Sequence, residues 1–193
     1  MSLSPVGPPT AHQDSIPHQP KFQYIFPSIM TPAVVAALSK QGTQELATSK
    51  AYLAMSLWCE VQNWSGFADL FRKQADEEQA HVRKFFNFVV DCDEMPEVGS
   101  VPAPCCDFPD LLTVAKAAYD MERANTKAIH AAYEVTLAEK DYAAQVFLHE
   151  FILEQVEEEA WTDKLLDKTR QATCAGGIFN LDRHVVREVL GSE

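Results

Sequence analysis

Glu78-Gln79-Ala80-His81 is the tetrapeptide in this sequence that most clearly offers metal ligands. A glutamate and a histidine three residues apart lie on one face of a helix, so both can reach a single ion. Taken alone, that spacing also occurs on ordinary helix surfaces. Its weight comes from the stripe that contains it, which runs Phe67, Phe71, Gln74, Glu78, His81, Phe85, Phe88 at helical intervals. Three more stripes have the same period. The first runs Leu38, Gln41, Glu45, Thr48, Tyr52, Met55, Cys59. The others run Leu112, Ala115, Tyr119, Glu122, Thr126, Ile129, Tyr133 and Ala144, Leu148, Phe151, Gln155, Glu158, Thr162, Leu165. In each, a carboxylate interrupts the apolar face near its middle.

If all four stripes face one core, Glu45, Glu78, Glu122 and Glu158 meet inside it. Unpaired carboxylates in such a place are costly. No Lys or Arg stands in the central part of any stripe to neutralise them, whereas two divalent cations would balance four negative charges. The donor set is rich in oxygen and includes one imidazole. That suits iron or manganese and is a poor structural zinc site, which favours Cys and His. Glu154-Gln155-Val156-Glu157-Glu158 adds acids on adjoining faces of one turn, a pattern that by itself reads as a solvated face.

Long helices must carry these stripes. Thr31-Pro32 supplies an N-cap and a first-turn proline for a helix running to about Asn63. Trp64-Ser65-Gly66 predicts a short turn into a second helix, about Phe67 to Cys92. A connection from Asp93 to Phe108 follows, with Pro96, Gly99, Pro102 and Pro104. About fifteen residues at ~3.3 Å each can cross the length of a bundle. A third helix is predicted from about Pro109 to Glu139, a turn at Lys140-Asp141, and a fourth helix from about Tyr142 to Ala172. Gly176-Gly177 ends that region, and Leu181 to Leu190 reads as a short fifth helix. The predicted fold class is all-α: a four-helix bundle of two hairpins joined by one long crossover, with a short C-terminal helix. Residues 1–30 read as a flexible tail and 31–193 as one domain.

Composition narrows the partners. The formal net charge of −12 argues against nucleic acid, which requires basic stripes. No apolar run reaches membrane-spanning length. The five cysteines follow neither a disulfide framework nor zinc spacing, so free thiols in a reducing, cytoplasmic setting are expected. The N-terminal residues lack the pattern of a secretory signal or an organelle transit peptide. His130, His149 and His184 read as surface or packing residues, and Cys105-Cys106 as inert loop sequence.

Over residues 31–190 the chain resembles the non-haem ferritin family in its bacterial-type branch. The resemblance rests on Glu45, on Glu78 with His81, on Glu122 and on the Glu-Gln pair Glu154-Gln155 with Glu158. It implies an iron-storage subunit with ferroxidase activity, oxidising Fe²⁺ with dioxygen or peroxide. It also implies a homo-oligomeric cage of twenty-four subunits. Carried over, the first iron site is Glu45, Glu78 and His81. The second is Glu78, Glu122 and Glu158 with Gln155 close by, and Glu78 bridges the two. Tyr52 matches a tyrosine beside the centre. A third iron site maps to Glu77, Glu154 and Glu157, sharing Glu158. Haem-binding relatives carry Met where this chain has Gln79, so no haem is expected. The acidic threefold-channel positions of animal-type ferritins are held here by Gln145 and Leu148. Two rival readings stand beside this one. A rubrerythrin-like peroxidase or other di-iron oxidase would ordinarily bring a second Glu-x-x-His or paired Cys-x-x-Cys motifs, and neither is present. A shell subunit without catalysis would lack the core ligands.

Overall fold

A computed structural model describes residues 30–191. The helices are α1 (Pro32–Val61), α2 (Ser65–Asp91), α3 (Leu111–Glu139), α4 (Tyr142–Gln171) and α5 (Ala175–Val186). A π-helical turn, Arg187–Gly191, closes the described chain. The tail expected over residues 1–30 lies outside the described residues except for Met30, which is buried at the start of the domain.

Capping residues start the helices. Thr31 accepts from the Val34 N–H with Pro32 behind it, Asp110 accepts from the Thr113 N–H at 2.7 Å, and Asp141 from the Ala144 N–H at 3.0 Å. Asn63 and Lys140 turn the chain between hairpin helices with left-handed backbones, φ 62° and 57°. The two hairpins are therefore α1–α2 and α3–α4, and they meet chiefly along α1 and α3. The crossover runs as a strap over α1. The Glu97 N–H donates to Ser39 Oγ at 3.1 Å and the Gly99 N–H to Thr43 Oγ1 at 3.0 Å, and Phe108 then packs edge-on against Trp58.

Boundaries shift in instructive ways. Helix α2 begins at Ser65 rather than Phe67, because the turn is made by Gln62-Asn63-Trp64 and Gly66 already lies inside the helix. Helix α3 begins at Leu111, two residues later than Pro109, because Asp110 is its cap. The fifth helix starts at Ala175 and takes in Gly176-Gly177, since the Cys174 side chain accepts from the Gly177 N–H and supplies a start signal. The helix over Leu181–Leu190 thus gives way to a helix ending at Val186 with a π turn after it.

The apolar side chains form two clusters, one at each end of the bundle. One gathers Phe67, Phe71, Val114, Leu165 and Val185, and the other Val34, Leu38, Phe85, Ile129 and Leu148. Burying each such side chain contributes roughly 1.5–3 kcal/mol. The polar stripe residues lie between them. On α3 the predicted face is rotated: Leu112 is exposed, Tyr119, Thr126 and Tyr133 are half-buried, and Ala118, Asn125 and Ala132 face the core.

Candidate metal centre

The two apolar clusters leave a polar layer at mid-bundle, with carboxylates from all four long helices. Glu45, Glu78, Glu122 and Glu158 are all buried there. One ligand atom from each of Glu45, Glu78 and His81 lies within 4.8 Å of the others, so these three can share one ion. The other two carboxylates sit in separate hydrogen-bonded settings. Tyr52 Oη donates to Glu122 Oε1 at 2.6 Å and Gln155 Nε2 to Glu122 Oε2 at 3.3 Å. Trp161 Nε1 donates to Glu158 Oε2 at 2.5 Å.

Glu45 is held at both oxygens. Gln41 Nε2 donates to Oε1 at 2.7 Å, and Asn125 Nδ2 donates to Oε2 at 3.1 Å. Gln41 Nε2 also reaches Asn125 Oδ1 at 2.8 Å, closing a small ring of amides around the carboxylate. Asn125 and Trp161 were not singled out in the sequence. A signal existed for Asn125, which stands three residues after Glu122 and breaks the apolar run with an amide. Nothing in the sequence pointed to Trp161.

Burial governs the protonation of this layer. It drives the Glu78 carboxyl well above its usual range, and the neighbouring Glu45 carboxylate adds to the rise. Glu122 is pushed up to about 7 by burial, opposed in part by the hydrogen bonds from Tyr52 and Gln155. Glu158 is pushed up to about 8 by burial and by the Glu122 charge. Tyr52 rises well above the phenol range, through burial and then Glu122, so it stays a neutral donor. For His81 burial lowers the pKa, but the hydrogen bond and charge of Glu154 more than offset it. A layer that resists its own negative charge this strongly is one that divalent cations would relieve.

The residues grouped as a third site divide. Glu77, Glu157 and Glu158 line an open depression beside Lys73, Lys164 and Trp161. Glu154 instead turns to His81, with Oε1 3.2 Å from Nε2, while its Oε2 is buried without a hydrogen-bond partner. Leu148 is fully buried in the subunit and Gln145 donates to the Thr136 carbonyl, so neither is an acidic group. His149 is exposed beside Tyr133, and Cys105 and Cys106 are exposed free thiols.

Two hairpins, one long crossover and core carboxylates from every long helix define a ferritin-like carboxylate bundle. The family described as Ferritin-like domain matches residues 35–172. A bacterial non-haem ferritin of Staphylococcus aureus (strain MRSA252) is 36% identical over 127 residues, 66% of this chain and 76% of that protein. One from Staphylococcus epidermidis is 32% identical over 139 residues, 72% of this chain and 84% of that protein. Among solved structures, an open pore ferritin from the archaeon Archaeoglobus fulgidus superposes with a TM-score of 0.80 at 28% identity. It covers 86% of this chain and 99% of its own. This chain belongs to the ferritin family, with the bacterial non-haem ferritins among its relatives.

Proposed function

We propose that the protein is an iron-storage ferritin whose subunit oxidises Fe²⁺ at a di-iron centre within the bundle. The observation that carries this is the buried Glu45–Glu78–His81 group, within 4.8 Å, at the heart of a ferritin fold. Iron is the substrate. Glu45, Glu78 and His81 would take the first Fe²⁺, and Glu78, Glu122 and Glu158, with Gln155 adjacent, the second, so that Glu78 bridges. Dioxygen or peroxide accepts the electrons. Carboxylates favour the higher charge of Fe³⁺ and so assist the oxidation. Tyr52 and Gln155 orient Glu122, and Gln41 and Asn125 orient Glu45.

A third iron position at Glu77, Glu154 and Glu157, sharing Glu158, would accept Fe³⁺ on its way to storage. The apolar side chains left exposed along α1 (Leu53, Leu57, Val61) and α4 (Val146, Leu153, Val156) support burial against further copies. Membership of the ferritin family supports reading the assembly as a closed cage of twenty-four subunits in the cytoplasm. No helix among the described residues is long and apolar enough to cross a membrane. The decisive experiment is anaerobic Fe²⁺ titration followed by rapid mixing with oxygen. It should show two irons per chain bound and oxidised in a fast phase. Glu78→Ala should remove that phase, slowing oxidation by on the order of a hundredfold or more, with the fold intact. An unchanged initial rate in that variant would place the chemistry elsewhere.

A further inference from the structure

We propose that Glu154 is a positioning residue for the first metal site: its carboxylate holds the Nε2–H of His81 and thereby presents Nδ1 to the ion. This role presupposes the iron centre proposed above. The geometry is direct. His81 Nε2 lies 3.2 Å from Glu154 Oε1, and Nδ1 lies 3.2 Å from Glu78 Oε2, on the side of the ligand group. An ionised carboxylate only accepts hydrogen bonds, so the proton opposite Glu154 belongs on Nε2. The lone pair that binds metal is then left to Nδ1. Metal-bound histidines commonly donate their other N–H to such a partner, which fixes tautomer and ring angle together.

Two further contacts show that α4 grips α2 here. Phe151 packs edge-on to the His81 ring, with centroids 5.4 Å apart at 86°. Lys84 Nζ, one turn beyond His81, donates to Glu150 Oε1 at 2.6 Å. Phe151 thus limits the ring plane, and Glu154 selects which nitrogen faces the metal. The alternative is that Glu154 serves only as a ligand of the third site. Against this, the depression lined by Glu77, Glu157 and Glu158 is not lined by Glu154. If Glu154 were a ligand there and nothing more, removing it would leave the first site untouched.

The test compares wild type, Glu154→Ala, Glu154→Gln and Asp163→Ala as assembled full-length protein. Co²⁺ is titrated and followed by its visible absorption. Crystals are examined metal-free and after a Co²⁺ soak, using anomalous scattering. Glu154→Ala is expected to weaken Co²⁺ at Glu45–Glu78–His81 by about 10- to 100-fold, with the His81 ring rotated or split in the metal-free crystals. Glu154→Gln, whose amide oxygen can still accept from Nε2–H, should retain most of the affinity. Asp163→Ala, at an exposed acid of the same helix outside every proposed iron position, should match wild type at this site. Wild-type affinity together with an unmoved His81 ring in Glu154→Ala would overturn the proposal. Failure of the wild type to bind Co²⁺ at this site would instead overturn the metal-centre function. The ring orientation in metal-free Glu154→Ala would then still decide what Glu154 does.

Discussion

Glu122 and Glu158 titrate near neutrality because burial opposes their charge, and this fixes how the metal-free protein responds to pH. Their folded pKa values, about 7 and about 8, lie above the value near 4.5 that an unfolded chain would show. Between those limits the folded state holds protons that the unfolded state has released. The stabilisation is therefore complete below about pH 4.5 and is lost as pH rises through 7 to 8. The metal-free melting temperature should fall from pH 5.5 to pH 8.5, and saturating divalent metal should flatten the slope. A pH-independent midpoint, measured by calorimetry on chelator-treated protein, would show that these carboxyls are solvated. Also at the residue scale, Glu157 is exposed and outside the buried ligand group. Glu157→Ala should keep the fast oxidation phase and alter the slower phases and the iron stoichiometry. Stopped-flow traces with slow phases identical to wild type would make Glu157 an ordinary solvated acid.

At the scale of elements, the junction of α5 with α2 is the feature most exposed to a single substitution. Trp64 offers no side-chain cap to α2. Asp182 of α5 fills that role from across the fold, its Oδ1 accepting from the Phe67 N–H at 3.1 Å. Its carbonyl comes so close that a Cβ on Gly66 would stand 1.7 Å from the oxygen. Gly66 is required by this approach and not by its own dihedral angles. Asp182→Ala should cost about 1–2 kcal/mol, as loss of a cap does. Gly66→Ala should cost about 3 kcal/mol or detach α5, because backbone must move. Chemical denaturation gives the energies, and limited proteolysis should cut within 175–191 faster in Gly66→Ala. Equal stability of Gly66→Ala and wild type, with no new cleavage, would contradict the close packing described.

For the whole molecule, the exposed strip Leu53, Leu57, Val61 is one part of the surface that the proposed cage would cover, at 46%, 54% and 76% exposure. Pro104 and Cys106 from the crossover extend the same apolar groove. Light scattering should find a large closed oligomer at micromolar concentration. Leu57→Glu, which places charge on the strip, should shift the population toward smaller species while each subunit stays helical by circular dichroism. Only monomer or dimer in the wild type would argue strongly against storage in a cage.

The candidate ligand residues were legible in the sequence because helical spacing alone decides which side chains share a face. Glu45, Glu78, His81, Glu122, Gln155 and Glu158 all lie inside, as their stripes imply. The hairpin–crossover–hairpin order was equally plain, since caps, prolines and short turns are local signals. Other features depended on neighbours distant in the chain. The rotation of α3 that buries Asn125 and exposes Leu112 is set by how α3 packs on α4 and α1, not by its own period. The start of α5 at Ala175 overrides two glycines, and α5 is secured by the bond from Phe67 to Asp182, 115 residues apart. Glu154 is identical in kind to Glu157 as sequence. Only the packing of α4 across α2 turns one toward His81 and leaves the other at the surface, because side-chain direction between helices is fixed by tertiary contact and not by spacing along one of them.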